Sequence, residues 1–383
     1  MLEPQSIAAR CVLALIPTVG LLYAYVSPLI ISALEQSSMF TSQSAAVVFA
    51  ANMYGAAAGS LLAIGLIRYL PWRPSVYALI TVIFAVDFIS TGHHEPLTLT
   101  ILRFTHGLAA GCLIGFAAMI ITRAGQAERT FAIAVATQLL LGGTITALLA
   151  PLIDSVGITP IWYVLMGVSA LTLCLVPLLS DYPPVTESTQ HNPQPTPRGK
   201  RHPAVLCALA GLFLYQVGQL AAYAYVFEMG QAYGFGGAFI GWTVALSLWV
   251  GVPSALFVAY WSTRSGRLLP SAGGALLTAF ACAMLLFQFP ASYVVGNLLF
   301  GIFFSITVPY QLANISELDP TGQLASVGAL VNSIGPATGP VIAALLIGQG
   351  NFALVLGTGI SLIVCGAAFT AYTAGYLDKS RRI

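Results

Sequence analysis

Charged residues are scarce in this sequence, and this scarcity excludes most water-soluble folds. Only 7% of the 383 residues are Asp, Glu, Lys or Arg, whereas 58% are hydrophobic. A soluble protein of this length needs far more charge to cover its surface, so most of this surface must face a lipid bilayer. The net charge of +2, without a basic stripe or a zinc-finger spacing, also argues against a nucleic-acid partner.

Sequence signatures of catalysis and of metal binding are lacking as well. The six cysteines include no Cys-x-x-Cys pair, which argues against a disulfide framework or a structural metal site. No Walker loop, dinucleotide-binding fingerprint or His-Glu-x-x-His motif is present. The adjacent His93, His94 and Glu95 leave a weak metal-site alternative, although such a short polar loop more often simply faces water. We expect no cofactor, no metal, no enzymatic activity and no direct use of ATP.

Long apolar runs are what the sequence has in abundance. A helix needs roughly 20 apolar residues to cross a bilayer, and twelve such runs are separated by turns rich in Gly and Pro. The sequence therefore predicts an all-α membrane protein with twelve transmembrane helices. The predicted spans cover residues 11–33, 43–67, 74–91, 97–122, 130–152, 160–179, 204–228, 237–261, 269–289, 291–313, 322–348 and 351–376.

The distribution of Lys and Arg predicts the orientation of these spans. With a cytoplasmic N-terminus, 13 of the 14 basic residues fall in cytoplasmic segments and none in an outer loop; the other is Arg103, inside span 4. An excess of basic residues on the cytoplasmic side is the usual pattern in membrane proteins. We expect both termini in the cytoplasm, and the short loops favour a bacterial inner membrane.

A Pro-rich polar linker at residues 181–203 divides the chain into residues 1–180 and 204–383, each with six predicted spans. A faint internal repeat supports this division, because a shift of 194 residues aligns Gly107 with Gly301 and Gln138 with Asn332. We therefore expect two pseudo-symmetric six-helix bundles.

A second internal match is a four-residue string. The string Tyr-Ala-Tyr-Val occurs at residues 23–26 and again at residues 223–226. Depth in the predicted spans pairs Tyr23 with Tyr215 instead of Tyr223, which favours a chance match.

Three local patterns resemble those of one large transporter family. Span 4 reads Arg-Phe-Thr-His-Gly from Arg103 and resembles the Arg-x-x-Gln-Gly pattern of the major facilitator superfamily, with His106 in place of Gln. Residues 263–267 resemble the Asp-Arg-x-Gly-Arg-Arg loop of that family without its leading Asp. Residues 335–340 resemble the glycine-proline pattern of its drug:proton antiporters, although that pattern belongs to span 5 and lies here in span 11.

This resemblance implies a fold of two six-helix bundles with a substrate site near the middle of the bilayer. Rocking of one half against the other then gives alternating access. It also implies a protein that acts as a monomer on a small-molecule substrate and uses an ion gradient. Because carboxylates are scarce within the spans, we expect that ion to be the proton.

Arg103, Asp87 and His106 are the first candidates for proton coupling. Arg103 and Asp87 lie at similar depth in neighbouring antiparallel spans, so we expect an ion pair that protonation of Asp87 would break. The alternative is a fixed structural bridge. His106 follows Arg103 by three residues on the same helix face and acts either as a proton relay or as a neutral hydrogen-bonding residue.

Glu228, near the outer end of span 7, is a further candidate for proton coupling, and Glu35 lies similarly in span 1. Both carboxylates could instead face water. Polar and aromatic residues within the spans are the candidates for substrate binding, because organic ligands favour apolar pockets with a few polar groups. The alternative roles are hydrogen bonding between helices and membership of the interfacial aromatic belt. The candidates are Tyr23, Asn52, Arg103, Gln138, Tyr215, Gln216, Gln219, Trp249, Tyr310 and Asn332.

The sequence thus predicts a proton-coupled secondary transporter of a small amphipathic or aromatic compound, with import and export both open. One alternative is uptake of a small organic anion, which the buried Arg103 would suit. Another is a sensor or scaffold that does not transport, because a fold does not determine a function.

Overall fold

The structure is a computed structural model, and it describes residues 2–3, 6–67, 69–124, 127–182, 203–261, 266–318, 323–348 and 350–380. Residues 183–202, most of the predicted linker, lie outside the described part of the chain. Residues 263–265 of the predicted loop motif also lie outside it.

The described residues form fifteen α-helices and short 3₁₀ and π segments, without a strand. Local sequence explains several of the helix starts. Thr41 caps α3 through a reciprocal pair of bonds with Ser44, and Pro residues occupy the first turns of α2, α5 and α13. The helices are α1 (Ile7–Tyr25), α2 (Ser27–Glu35), α3 (Ser42–Leu66), α4 (Trp72–Ser90), α5 (Pro96–Arg123), α6 (Ala127–Leu149), α7 (Ile153–Val156), α8 (Thr159–Leu175), α9 (Pro203–Tyr223), α10 (Val226–Ala232), α11 (Gly237–Trp261), α12 (Gly274–Met284), α13 (Pro290–Glu317), α14 (Gln323–Ile347) and α15 (Phe352–Ser380).

Eleven helical segments of the described chain are long and apolar enough to cross a membrane. The ninth predicted span is shorter: it covers Leu269–Met284, begins as a π-helix at Leu269–Gly273 and continues as α12. The helix ends at Met284 and not at residue 289, because a turn follows at residues 285–287. The predicted all-helical membrane architecture is confirmed, with eleven long spans and one short one.

The first and seventh spans are each interrupted at an equivalent place. Val26, between α1 and α2, has φ −98° and ψ 12°, and Tyr225, between α9 and α10, has φ −105° and ψ 27°. Both residues belong to the repeated Tyr-Ala-Tyr-Val string, as its fourth and third residues, so the two breaks lie within one residue of each other in the repeat. The breaks favour Tyr223 over Tyr215 as the partner of Tyr23. Span 7 continues to Ala232, so Tyr223 lies deeper than predicted.

Contacts divide the chain into two units. The first contains Met1–Pro183 and Ala224–Val252, and the second contains Pro184–Tyr223 and Pro253–Ile383. In the first unit α5 packs along α3, α4 and α1, and in the second unit α9 packs along α15 and α14. The sequence-based division at residues 180 and 204 stays a prediction.

Glycines allow α3 and α5 to approach each other closely. A Cβ atom added at Gly55, Gly59, Gly107 or Gly111 would overlap the backbone of the facing helix, and at Gly107 it would meet the carbonyl oxygen of Asn52. Such small residues are typical of tightly packed membrane helices. We call these four glycines the α3–α5 seam; it fixes the register between Asn52 and the buried polar side chains of α5.

Gly107→Ala is expected to destabilise the protein by at least about 2 kcal/mol, because the added methyl group forces two backbones apart. Thermal unfolding of the purified variant in detergent measures this loss. Gly167→Ala is the matched control, since a Cβ there meets nothing within 4 Å. Equal unfolding temperatures for the two variants would contradict the proposed role of the seam.

Candidate functional site

Arg103, in the N-terminal third of α5, is enclosed by protein and is 0% exposed. Its Nη1 donates to Asp87 Oδ1 at 2.8 Å, and its Nη2 donates to the Ser90 hydroxyl at 2.5 Å. Both partners lie on α4, which packs against α5. The predicted Asp87–Arg103 ion pair therefore forms, and both of its side chains are fully buried.

Only one oxygen of the Asp87 carboxylate has a hydrogen-bond partner among the described residues. Its Oδ1 accepts the bond from Arg103, whereas Oδ2 is buried and has no hydrogen-bond partner among the described residues. A buried oxygen without a partner is costly for a carboxylate that stays ionised. A proton can be added at Oδ2 without displacing Arg103 from Oδ1, so the geometry suits a group that changes its protonation state.

His106 lies near the same oxygen of Asp87 as Arg103 and is held in one orientation. Asn52 Nδ2 donates to His106 Nδ1 at 2.8 Å and also approaches the carbonyl oxygen of Arg103 at 3.1 Å. Since Nδ1 accepts, the neutral imidazole carries its hydrogen on Nε2, which faces Asp87 Oδ1 at 3.7 Å. The arrangement supports a neutral histidine, the second of the two roles considered for His106.

Two aromatic rings complete the surroundings of Arg103. Its Cζ lies 4.4 Å from the ring centroid of Trp162 and 5.5 Å from that of Tyr23. These distances are in the range of cation–π contacts. Trp162, on α8, and Tyr23 are both 0% exposed. Sequence reasoning missed Trp162 and Ser90, because a tryptophan or serine within an apolar span gives no sign of its partner.

We call Tyr23, Asp87, Ser90, Arg103, His106 and Trp162, with Asn52, the charged centre. In this conformation Tyr23, Asn52 and Arg103 are fully enclosed. They were predicted to bind substrate, and the structure places them together around the ion pair.

Glu228 and Glu35 approach each other within the first unit. They lie on the contacting helices α10 and α2, close enough for each carboxylate to interact with the other electrostatically. Both carboxylate oxygens of Glu228 are buried. The neighbouring Tyr225 donates its hydroxyl hydrogen to the carbonyl oxygen of Ser42 at 3.0 Å. Glu228 is therefore part of a partly buried acidic pair.

The remaining candidates of the first unit are Gln138 and Trp249. Gln138, on α6, is 2% exposed. Trp249 is half-buried, and its Nε1 donates to the carbonyl oxygen of Leu140 at 3.3 Å. The indole also lies where a Cβ of Gly143 would be, so the glycine makes room for it.

In the second unit, amide side chains form a chain of hydrogen bonds. Gln219 Nε2 donates to Gln216 Oε1 at 3.1 Å, and Gln216 Nε2 donates to Asn332 Oδ1. Gln219 Oε1 is buried and unpaired within the described residues. The hydroxyl groups of Tyr215 and Thr278 are 3.2 Å apart. Tyr310 on α13 is buried.

The second unit also contains a neutral counterpart of the charged centre. Tyr223 donates to Asn297 Oδ1 at 2.8 Å, and its ring stacks on Phe300 with centroids 3.8 Å apart. In the sequence repeat, the shift of 194 residues relates Arg103 to Asn297 and His106 to Phe300.

The same shift relates Asp87 to Ala281, which is 0% exposed. Tyr223 is the counterpart of Tyr23 in the matching helix breaks. Tyr23, Asp87, Arg103 and His106 of the charged centre thus have uncharged counterparts in the second unit, with Tyr223 assigned by the helix breaks and the other three by the shift.

A second buried arginine lies in the second unit. The Arg267 side chain is 1% exposed; it pairs with Glu317, and its Nη1 lies 3.5 Å from Asp378 Oδ1. Its backbone N–H also donates to Asp378 Oδ2 at 3.1 Å. Arg267 ends the predicted loop motif, whereas its two acidic partners were not predicted because they come from distant parts of the sequence.

A cavity of about 300 Å³ lies in the first unit, away from all predicted binding residues. Among its lining residues are Leu34, Phe40, His94, Leu99 and Ile153. The described residues, which include His93, His94 and Glu95, contain no group of three or more His, Cys, Asp or Glu side chains that could hold a metal ion.

Solved transporter structures share this fold. The inward-open xylose transporter XylE from E. coli is similar with a TM-score of 0.77 at 14% identity, over 96% of each chain. A structure of a D-xylose–proton symporter gives 0.72 at 14% identity, over 94% of this chain and 96% of that chain. A mutant of the nucleoside transporter NupG gives 0.67 at 12% identity, over 97% and 98%.

A family profile agrees with the structural comparison, whereas individual sequences do not match. None of the curated protein sequences is significantly similar to this chain. The profile of the Major Facilitator Superfamily, however, matches residues 13–335, most of the chain. Members of that family are multi-pass membrane transporters and not enzymes. The chain therefore belongs to the major facilitator superfamily.

Proposed function

We propose that this protein is a proton-coupled secondary transporter of a small uncharged organic compound, amphipathic or aromatic, that works by alternating access. The observation that carries the proposal is the fully buried Asp87–Arg103 pair with a free oxygen on Asp87. Ionisable groups inside a membrane protein are costly, and they are functional by default.

The neutral counterpart in the second unit separates a functional role from a structural one. The counterparts Tyr223, Asn297 and Phe300 contact one another without any charge. Neutral residues can often replace a buried ion pair at little cost in stability. Since the fold can pack this layout without ions, the charges of the first unit support a role in coupling.

Proton coupling follows from the chemistry of this pair. Ionised Asp87 neutralises Arg103, whereas a proton on Oδ2 leaves the guanidinium without its counter-ion. The two protonation states therefore favour different surroundings of α4 and α5, and binding of a proton can shift the population between two conformations. One similar structure is of a D-xylose–proton symporter, which supports the proton as the coupling ion.

The substrate class follows from the polar residues and from the neutralised arginine. Arg103 already has its counter-ion and is enclosed, which argues against an anionic substrate bound by this residue. The amide chain of Gln216, Gln219 and Asn332 offers neutral donors and acceptors instead. The similar structures include transporters of xylose and of nucleosides, which are uncharged compounds rich in hydrogen-bonding groups.

Purified protein in liposomes with an imposed pH gradient tests the proposal. A panel of pentoses, nucleosides, uncharged aromatic amphiphiles and small organic anions is offered on either side of the membrane. The proposal predicts gradient-driven accumulation of an uncharged compound, collapsed by a protonophore. Accumulation of anions only, flux that ignores pH, or no flux of any compound would each overturn it, the last in favour of a sensor.

Glu228→Gln tests the second proposed proton-binding group. Glutamine imitates the protonated acid permanently, so the variant is expected to reduce gradient-driven flux, though less than changes at Asp87. Glu3→Gln, an exposed residue near the N-terminus, is the control. Flux is measured at several pH values from about 5.5 to about 8 on either side of the membrane, because burial can raise the pKa of a carboxylate into this range. Unchanged flux for Glu228→Gln would remove this residue from the proposal.

A cytoplasmic location of both termini and a bacterial inner membrane remain part of this proposal. The distribution of Lys and Arg supports the orientation. The division into bundles at residues 1–180 and 204–383 and the action as a monomer also belong to it.

A further inference from the structure

Trp162 presents its ring to the guanidinium of Arg103 from inside the first unit. The Arg103 Cζ lies 4.4 Å from the Trp162 ring centroid, closer than the 5.5 Å to the Tyr23 ring. Trp162 is the largest fully buried side chain of the described residues, and its ring is parallel to that of Tyr23 within 6°. A tryptophan face is the strongest natural partner of a cation among the aromatic side chains.

When Asp87 is protonated, the Trp162 ring can stabilise the Arg103 guanidinium. The guanidinium then loses its counter-ion in a site that is closed to water, which is strongly unfavourable. The contacts that remain are uncharged: the protonated Asp87 through Oδ1, the Ser90 hydroxyl at 2.5 Å and the Val86 carbonyl oxygen at 3.5 Å from Nη2, and the two aromatic faces. A ring stabilises a bare cation more than a neutralised ion pair, because an ion pair presents little net charge to the ring quadrupole.

The repeat within the chain shows what this position contains where no cation is present. The shift of 194 residues relates Trp162 to Leu356, which is also 0% exposed. The second unit has neutral Asn297 in place of Arg103, and a leucine in place of the tryptophan. The aromatic ring thus accompanies the charge and is not a general requirement of the fold.

We propose that Trp162 is a positioning residue that holds the Arg103 guanidinium on its ring face when Asp87 is protonated, and so lets the centre take up a proton near neutral pH. This inference rests on the proposed proton coupling. The titratable and charged groups that face Asp87 are Arg103 and His106 from α5 and Tyr23 from α1. The described part of α3 contributes the neutral Asn52.

Trp162→Leu tests the proposal through the pH dependence of gradient-driven flux. Without the ring, the unpaired guanidinium is less stable, so Asp87 binds its proton only at lower pH. We expect the midpoint of the pH profile to move by about one pH unit to acid. This shift corresponds to the strength of a desolvated cation–π contact. Trp162→Phe keeps a ring and is expected to restore most of the wild-type midpoint. Trp72→Leu is the matched control, because it removes a contact at 5.1 Å with Arg73, away from Asp87.

If Trp162→Leu does not fold, fluorinated tryptophans at position 162 test the same proposal. Successive fluorine atoms weaken the ring quadrupole with little change in shape, so the midpoint should move to acid step by step. A midpoint that does not respond to fluorination, or equal shifts for Trp162→Leu and Trp72→Leu, would overturn the role of Trp162. A wild-type profile that is flat, or one that survives Asp87→Asn, would instead refute the underlying proton coupling.

Discussion

Asp87→Asn is expected to abolish accumulation of substrate against its gradient, while exchange of substrate without a pH gradient persists. Asparagine has nearly the shape of aspartate but cannot bind a proton, so the pH gradient no longer does work on the transporter. In liposomes, accumulation should fall to the level seen with a protonophore, a loss of at least about tenfold for a drop of one pH unit or more across the membrane, since each unit is worth 1.36 kcal/mol.

The control for this variant is Asp181→Asn. Asp181 also pairs with an arginine, Arg73 at 3.3 Å, but its side chain is 78% exposed. Exposed ion pairs contribute little, so this change should leave accumulation unaltered. Asp87→Asn with wild-type accumulation would rule out Asp87 as the coupling group, and loss in both variants would point to a general effect of the substitution.

Grafting the neutral layout of the second unit onto the first is expected to give a stable protein that transports without coupling. The triple variant Asp87→Ala, Arg103→Asn and His106→Phe reproduces Ala281, Asn297 and Phe300. No charge is then left buried and unpaired, so its unfolding temperature should stay near that of the wild type. Arg103→Asn alone leaves the Asp87 carboxylate without a partner and should cost about 3–5 kcal/mol.

Thermal unfolding in detergent and flux in liposomes measure the two halves of this prediction. Substrate exchange should continue in the triple variant, and its rate should not depend on pH. If the triple variant unfolds as easily as Arg103→Asn, the ion pair is a structural requirement of the first unit. In that case the comparison between the units would no longer support coupling.

The sequence was sufficient to predict the spans and the ion pair, because both depend on strong and rare signals. Charges inside apolar runs are few, and Asp87 and Arg103 lie at matching depth in neighbouring antiparallel spans. The helix breaks at Val26 and Tyr225 were not predicted, since only Pro28 beside the first break hints at an interruption.

The sequence did not predict that Trp162 and Ser90 contact Arg103. Trp162 and Ser90 contact Arg103 because of the rotation of α8 and α4 about their axes, which apolar runs without strong periodicity do not specify. Glu35 and Glu228 are far apart in the sequence and meet because α2 and α10 pack together. Hydropathy alone placed both residues at span ends, where carboxylates usually face water.

The α3–α5 seam has a mechanical consequence for the transport cycle. Because backbone meets backbone at Gly55, Gly59, Gly107 and Gly111, neither helix can slide or rotate past the other without a steric clash. Asn52 and Arg103 consequently travel together as one rigid element. Spectroscopic labels on these two helices would form an internal ruler of constant length, against which the motion of every other helix can be read.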